Sequence, residues 1–181
     1  MRTGTHSRGF SLIELMAVLA ILMVLSTVAI FSYRTYIRKA RNGEAIAFLL
    51  DIKMKQETYF MAYSRYVSTA ASAAEWYPAT LDYLPYPWVS GGGTWDCSTA
   101  TGAIAGFCAL GITPASPETF FQYQTIGWSP GTTFDPRPYV NNASRRWWFA
   151  RAQGFAGTGT NLPFEFRLSS EHSEIIEIGP E

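Results

Sequence analysis

The chain has 181 residues, and its 14 Lys and Arg residues balance 14 Asp and Glu residues, giving a formal net charge of zero. Charged residues make up 15% of the chain and aromatic residues another 15%. The balanced charge argues against bulk nucleic-acid binding, which requires a basic excess, and the apolar composition excludes a disordered chain. The length suits one domain with one additional element.

The first element is a long apolar segment near the N-terminus. Phe10–Tyr33 carries a single charge, Glu14, and Leu15–Phe31 contains no charged residue, glycine or proline. A helix of about 17–25 apolar residues spans the hydrocarbon core of a bilayer, where a helix satisfies its own backbone groups. The pattern therefore predicts a membrane-spanning helix.

Two ordinary interpretations of this segment fit less well. A secretory signal peptide has an apolar region of about 7–15 residues and small residues at its cleavage site. This run is longer and ends in Phe31-Ser32-Tyr33-Arg34. A simple single-span anchor fits the length but leaves Glu14 unexplained, because an unpaired carboxylate in an apolar environment is costly.

A specific motif overlaps the start of this helix. Arg8–Met16 (RGFSLIELM) resembles the leader junction of type IV pilins and pseudopilins. The resemblance implies that Met1–Gly9 is a leader, that prepilin peptidase cuts after Gly9, and that the new terminal residue Phe10 is N-methylated. It also implies that Glu14 pairs with the terminal amine of a neighbouring subunit during assembly. A buried charge is tolerated when it is paired, and such pairing sets register.

Two features depart from the family pattern. Ala29-Ile30-Phe31 stands where many members have Ala-Ile-Pro, so this helix keeps the backbone hydrogen bond that proline would remove.

Four bases follow the apolar run: Arg34, Arg38, Lys39 and Arg41. The positive-inside rule alone would put that side in the cytoplasm, whereas the cleavage motif requires the leader there. We therefore expect a head outside the cytoplasm, on a chain held in the bacterial inner membrane before assembly and in an extracellular or periplasmic filament afterwards.

The sequence predicts that the same helix continues over residues 34–64 as an amphipathic helix. Its stripe recurs at three- and four-residue steps: Ile37, Ala40, Glu44/Ala45, Phe48, Ile52, Gln56, Tyr59/Phe60 and Tyr63. Gly43 is the weak position, at a cost of about 1 kcal/mol relative to alanine. The stripe requires a core made by the rest of the chain.

Residues 65–118 form the expected connecting region, with a short helix predicted around Thr69–Glu75. This region holds both cysteines, Cys97 and Cys108. No CxxC or Cys/His set accompanies them, which argues against a structural zinc site. In an exported chain the natural interpretation is a disulfide that closes a short loop of small residues.

Residues 119–181 carry strand signals separated by Gly-, Pro- and Asn-rich turns. The predicted strands are 119–129, 145–153, 163–170 and 173–178. The expected fold class is therefore α+β. A long N-terminal helical spine, with a membrane half and an amphipathic half, packs against an antiparallel sheet of three to four strands, as in type IV pilins.

Other sites find little support in the residues. His172 lies in an acidic tail, and no nucleophile motif indicates an enzyme. The tail acids Glu171, Glu174 and Glu177 invite comparison with the calcium sites of some pseudopilins, but their spacing is not that of a calcium loop. We therefore predict no catalytic residue, metal or cofactor.

The tryptophans leave a further question open. Trp147 and Trp148 follow Arg145 and Arg146, and such groups, if exposed, can stack on nucleic-acid bases. Core filling and contacts between subunits are the more ordinary interpretations.

The resemblance implies a pilin that polymerises with itself and other pilins at an inner-membrane assembly platform, for motility, adhesion or DNA uptake. Two alternatives stay open: a pseudopilin of a type II secretion system, and a tethered periplasmic binding module that never assembles.

Overall fold

The computed structural model describes residues 11–80, 84–89, 95–113, 115–137, 139–155 and 163–179. The chain divides into two compact units, Met1–Ala40 and Arg41–Glu181. The predicted long helix is present as α1 (Leu12–Tyr63). It ends at Ser64, whose φ of 54° lies in the left-handed region and whose N–H bonds to the Phe60 carbonyl at 2.8 Å. A left-handed residue is a common helix terminator.

The second unit is built on an antiparallel sheet. Its elements in chain order are β1 (Tyr86–Pro87), α2 (Gly102–Leu110), β2 (Glu118–Thr119), β3 (Phe121–Gly127), β4 (Trp148–Phe155), β5 (Pro163–Ser169) and β6 (His172–Ile178). The strands β3 to β6 lie side by side in the order of the sequence, and β1 pairs with β2. The predicted α+β class, with a long helix and an antiparallel sheet of up to four main strands, is confirmed.

The amphipathic half of α1 packs on this sheet through a narrow stripe. The buried residues are Ala45, Leu49, Ile52 and Gln56, whose spacing of four, three and four places them on one helix face. Next to the stripe, the ring of Phe48 lies 4.2 Å from that of Tyr123 on β3. The predicted stripe was wrong at its end, because Tyr63 is 62% exposed, and it missed Leu49.

The segment after α1 runs along the edge of β3. The Thr69 N–H donates to the Thr125 carbonyl at 2.8 Å, and Tyr77 and Tyr123 exchange two backbone hydrogen bonds. The short helix predicted over Thr69–Glu75 was wrong, because the segment bonds to β3 at Thr69 and forms only one turn of its own, from the Glu75 N–H to the Ser72 carbonyl at 3.3 Å. One edge of the sheet is thereby covered, while β6 forms the other.

The region between the cysteines contains a helix rather than the predicted loop. α2 ends at Gly111, whose φ of 66° suits a left-handed cap. The buried Phe107 anchors it in the core, and Cys97 and Cys108 form the expected disulfide. At Gly106 a Cβ atom would lie 2.7 Å from the Ser68 carbonyl oxygen, so glycine permits the close approach of α2 to the chain.

Candidate assembly site

The first unit is an apolar helical surface that the chain itself leaves uncovered. Every residue from Ser11 to Tyr36 is exposed, including Leu12 at 78% and Phe31 at 74%. In water such a surface would be buried or would drive association. The helix is long and apolar enough to cross a membrane, so this unit is suited to lipid or to other helices.

Glu14 lies in the first turn of α1, where a negative charge is favoured by the helix dipole. One of its carboxylate oxygens accepts a hydrogen bond from the Ser11 N–H at 3.4 Å. The carboxylate stays exposed beside the helix start and is accessible to a cationic partner. Gly9 and Phe10, the predicted cleavage and methylation residues, lie outside the described residues.

Three hydroxyl groups of this helical stretch bond to the helix that carries them. Each donates to a carbonyl oxygen three or four residues earlier, which is common for Ser and Thr in helices. The bonds run from Ser26 to Leu22 (2.7 Å), from Thr27 to Val24 (2.7 Å) and from Thr35 to Phe31 (3.1 Å). These polar groups therefore need no external partner in an apolar environment.

The bases after the apolar run differ in their surroundings. The Arg41 guanidinium lies 3.9 Å from the ring centroid of Phe120, a cation–π contact. The side chains of Arg34, Arg38 and Lys39 are exposed. Within the described part of the chain, no carboxylate forms an ion pair with these three residues.

Glu171 binds the backbone of a loop and does not form a cluster with the other acidic residues of the tail. Its two carboxylate oxygens accept the backbone N–H groups of Asn141 and Asn142, at 2.7 and 2.9 Å. Glu174 and Glu177 are exposed on β6. No group of three or more His, Cys, Asp or Glu side chains among the described residues is arranged to hold a metal ion.

The tryptophans after Arg146 do not form an exposed patch. Trp147 is 2% exposed and Trp148 is fully buried, and the Trp148 indole Nε1–H donates to Glu57 on α1 at 2.7 Å. The alternative of an exposed Arg/Trp surface for stacking on bases was wrong. These two rings fill the core.

Sequence reasoning missed a buried arginine on the far face of the sheet. Arg151 on β4 is 4% exposed; its Nε donates to Gln124 at 3.0 Å and its Nη1 to the Tyr139 hydroxyl at 3.0 Å. Nη1 also lies 3.5 Å from Glu165, and Nη2 donates to the Ala73 carbonyl. Burial lowers the pKa of Arg151, an effect that the Glu165 charge opposes. The residue joins two loops to the sheet and faces no solvent, so its role is structural.

Comparison with known proteins bears on the first unit directly. The family model described as the prokaryotic N-terminal methylation motif matches residues 4–30. A fimbrial protein of Neisseria meningitidis serogroup A / serotype 4A (strain DSM 15465 / Z2491) is 36% identical over 70 residues, which are 39% of this chain and 41% of that protein. The chain thus spans about two fifths of the length of the curated relative it matches. No solved structure matches it.

A long N-terminal helix packed on an antiparallel sheet defines a type IV pilin-like architecture. The match to the methylation motif and the similarity to the fimbrial protein agree with this architecture.

Proposed function

We propose that the chain is a structural, non-enzymatic subunit of a type IV pilus, polymerised through the exposed apolar part of α1. The observation that carries this proposal is the exposure of the whole segment Ser11–Tyr36. Lipid would cover it before assembly, and the helices of other subunits would cover it afterwards. The fimbrial relative favours a pilus over a type II secretion pseudopilus.

The same proposal assigns roles to the N-terminal residues. Prepilin peptidase removes Met1–Gly9 and methylates Phe10, and Glu14 pairs with the Phe10 amine of a neighbouring subunit at the inner-membrane assembly platform. The match of the methylation motif to residues 4–30 supports processing. The accessible carboxylate of Glu14 at the helix start supports pairing. The filament serves motility, adhesion or DNA uptake.

Mass spectrometry of sheared surface filaments tests processing and assembly together. We expect abundant peptides of this chain that begin at methylated Phe10 and none from Met1–Gly9. A matched strain carrying Gly9→Val should retain the leader and yield no filaments. An intact leader on a monomer that stays in the membrane would contradict the proposal and favour a tethered module. If deletion of this chain abolishes protein secretion but leaves the surface pili intact, the result would favour a pseudopilin.

A further inference from the structure

A cavity of about 280 Å³ lies in the second unit, between α1 and the segment that leads into β3. Two carboxylates of α1 line it, Glu44 and Asp51, and they are separated by two helical turns on one face. The ring of Phe48 lies between them in the sequence and provides an apolar wall. Thr119 and Tyr123 line it from the opposite side. The cavity is therefore mostly apolar, with two carboxylate side chains among its lining residues.

The Tyr123 hydroxyl is the informative group. Tyr123 is 1% exposed, yet its hydroxyl has no hydrogen-bond partner in the described part of the chain. Burial, followed by the charge of Glu44, raises the pKa of this hydroxyl, an effect that the Thr119 side chain opposes. A buried polar group without a partner is costly. A ligand that enters the cavity with a polar group would supply the missing bond.

The two carboxylates indicate the charge and the hydrogen-bonding groups of that ligand. Glu44 accepts a hydrogen bond from the Thr119 hydroxyl at 2.9 Å, and burial raises its pKa. Within the described residues neither Glu44 nor Asp51 forms an ion pair. Acceptor oxygens beside an aromatic wall suit a cation with several donors and an aliphatic stem, which describes an arginine side chain.

We propose that this cavity receives an arginine side chain from a second copy of the chain, presented by the exposed Arg34 and Arg38. These residues lie four apart, so they share one helix face. A guanidinium can bond a carboxylate through two parallel N–H groups while its methylene stem covers an apolar wall. The inference rests on the proposed function, since a filament is what brings copies together at high effective concentration.

Charge reversal in the full-length chain tests the pairing. Asp51→Arg, and separately the double variant Arg34→Glu/Arg38→Glu, should each lower the yield of sheared filaments about tenfold, the effect of roughly 1.4 kcal/mol. The triple combination should restore most of the yield. Glu174→Arg and Arg145→Glu make the same charge changes at exposed positions outside the cavity and should leave the yield unchanged. Thermal unfolding of each detergent-solubilised subunit separates lost folding from lost pairing.

Cross-linking gives a readout that does not depend on yield. Since the native cysteines are paired with each other, Asp51→Cys combined with Arg38→Cys or Arg34→Cys introduces the free thiols. Oxidation of intact filaments should join subunits into a ladder of covalent multimers, whereas Glu174→Cys with Arg38→Cys should not. Filaments that form normally with reversed charges and give no ladder would overturn the pairing. Absence of filaments from the wild-type chain would instead overturn the proposed function.

Discussion

The side-chain amide of Gln56 on α1 donates a hydrogen bond to the hydroxyl of Thr125 on β3 over 3.0 Å. The same nitrogen donates to the Val67 carbonyl at 2.7 Å, and the amide oxygen accepts the Val67 N–H at 3.0 Å. The Thr125 hydroxyl then donates to the Phe149 carbonyl on β4. This buried chain of bonds joins the helix, the connecting segment and two strands, so it specifies the register of α1 on the sheet.

Gln56→Leu should destabilise the head by about 2–3 kcal/mol, because two buried backbone groups of Val67 lose their partner. Urea unfolding of the detergent-solubilised subunit, followed by tryptophan fluorescence, measures the change. Gln153→Leu, at a half-buried position on β4, is the matched control and should change the unfolding free energy by less than about 0.5 kcal/mol. Equal effects of the two variants would contradict the proposed role of the network.

Arg151→Met should cost about 3 kcal/mol of unfolding free energy, since it leaves the carbonyl and amide oxygens around the guanidinium without a donor. Arg137→Met is the matched control. Arg137 also pairs with a carboxylate, Asp135, at 2.7 Å, but both side chains are more than half exposed, and solvent screening leaves such pairs little effect on stability. A similar fall in melting temperature for both variants would show that burial of Arg151 is unimportant.

Replacing glycine by alanine should change the free energy of unfolding in opposite directions at two helical glycines. A Cβ atom at Gly43 of α1 meets nothing within 4 Å, so Gly43→Ala should stabilise by up to about 1 kcal/mol through helix propensity. At Gly106 of α2 the Cβ would meet the Ser68 carbonyl at 2.7 Å, so Gly106→Ala should destabilise. Chemical denaturation of both variants measures the two signs. Stabilisation by Gly106→Ala would refute the close approach of α2.

Glu44 should make the stability of the free subunit depend on pH. Burial raises its pKa from the ordinary value of 4.5, against smaller opposing effects of Thr119, the Phe120 backbone and Arg41. A raised folded-state pKa contributes stability below the unfolded value, and this contribution is lost as pH rises through the folded value. The wild type should therefore lose stability relative to Glu44→Gln as the pH rises from acidic values, below the ordinary pKa of 4.5, to neutrality. Unfolding titrations across this range measure the difference, and a constant difference would contradict the shift. Glu174→Gln should show no such trend.

Glu14→Gln should abolish or strongly reduce filaments while the subunit still accumulates in the membrane. Glutamine keeps the size and the hydrogen-bond acceptor of the side chain but removes the charge on which the proposed pairing with a terminal amine depends. Immunoblots of sheared and membrane fractions measure the outcome. Ser26→Ala, on the same exposed helix, should assemble normally. Wild-type filament levels from Glu14→Gln would argue against a charge-based role.

The elements found by sequence reasoning are those whose signals are local. The uninterrupted run Leu15–Phe31 and the stripe through Ile52 predict α1, and strand-forming segments separated by turn residues predict β3 to β6. The helix predicted over Thr69–Glu75 failed because its polar groups bond to β3, which follows about fifty residues later. Sequence periodicity contains no information about such a partner.

Other errors have a similar origin. α2 consists largely of small residues, which resemble a loop, although the spacing of Phe107, Leu110 and the capping Gly111 was an available signal. The burial of Arg151 had no local signal, because its partners come from three separate segments. The cavity beside Glu44 likewise depends on residues from α1 and β3 that meet only in the folded chain.

The self-bonded hydroxyls of Ser26, Thr27 and Thr35 affect how easily the helix changes its surroundings. Every hydrogen bond they make lies within α1, so leaving a bilayer for a bundle of protein helices breaks none of them. The free energy of that transfer is then set by side-chain contacts and by the single carboxylate of Glu14. A helix of this kind can pass between lipid and a bundle of helices without losing any of these three hydrogen bonds.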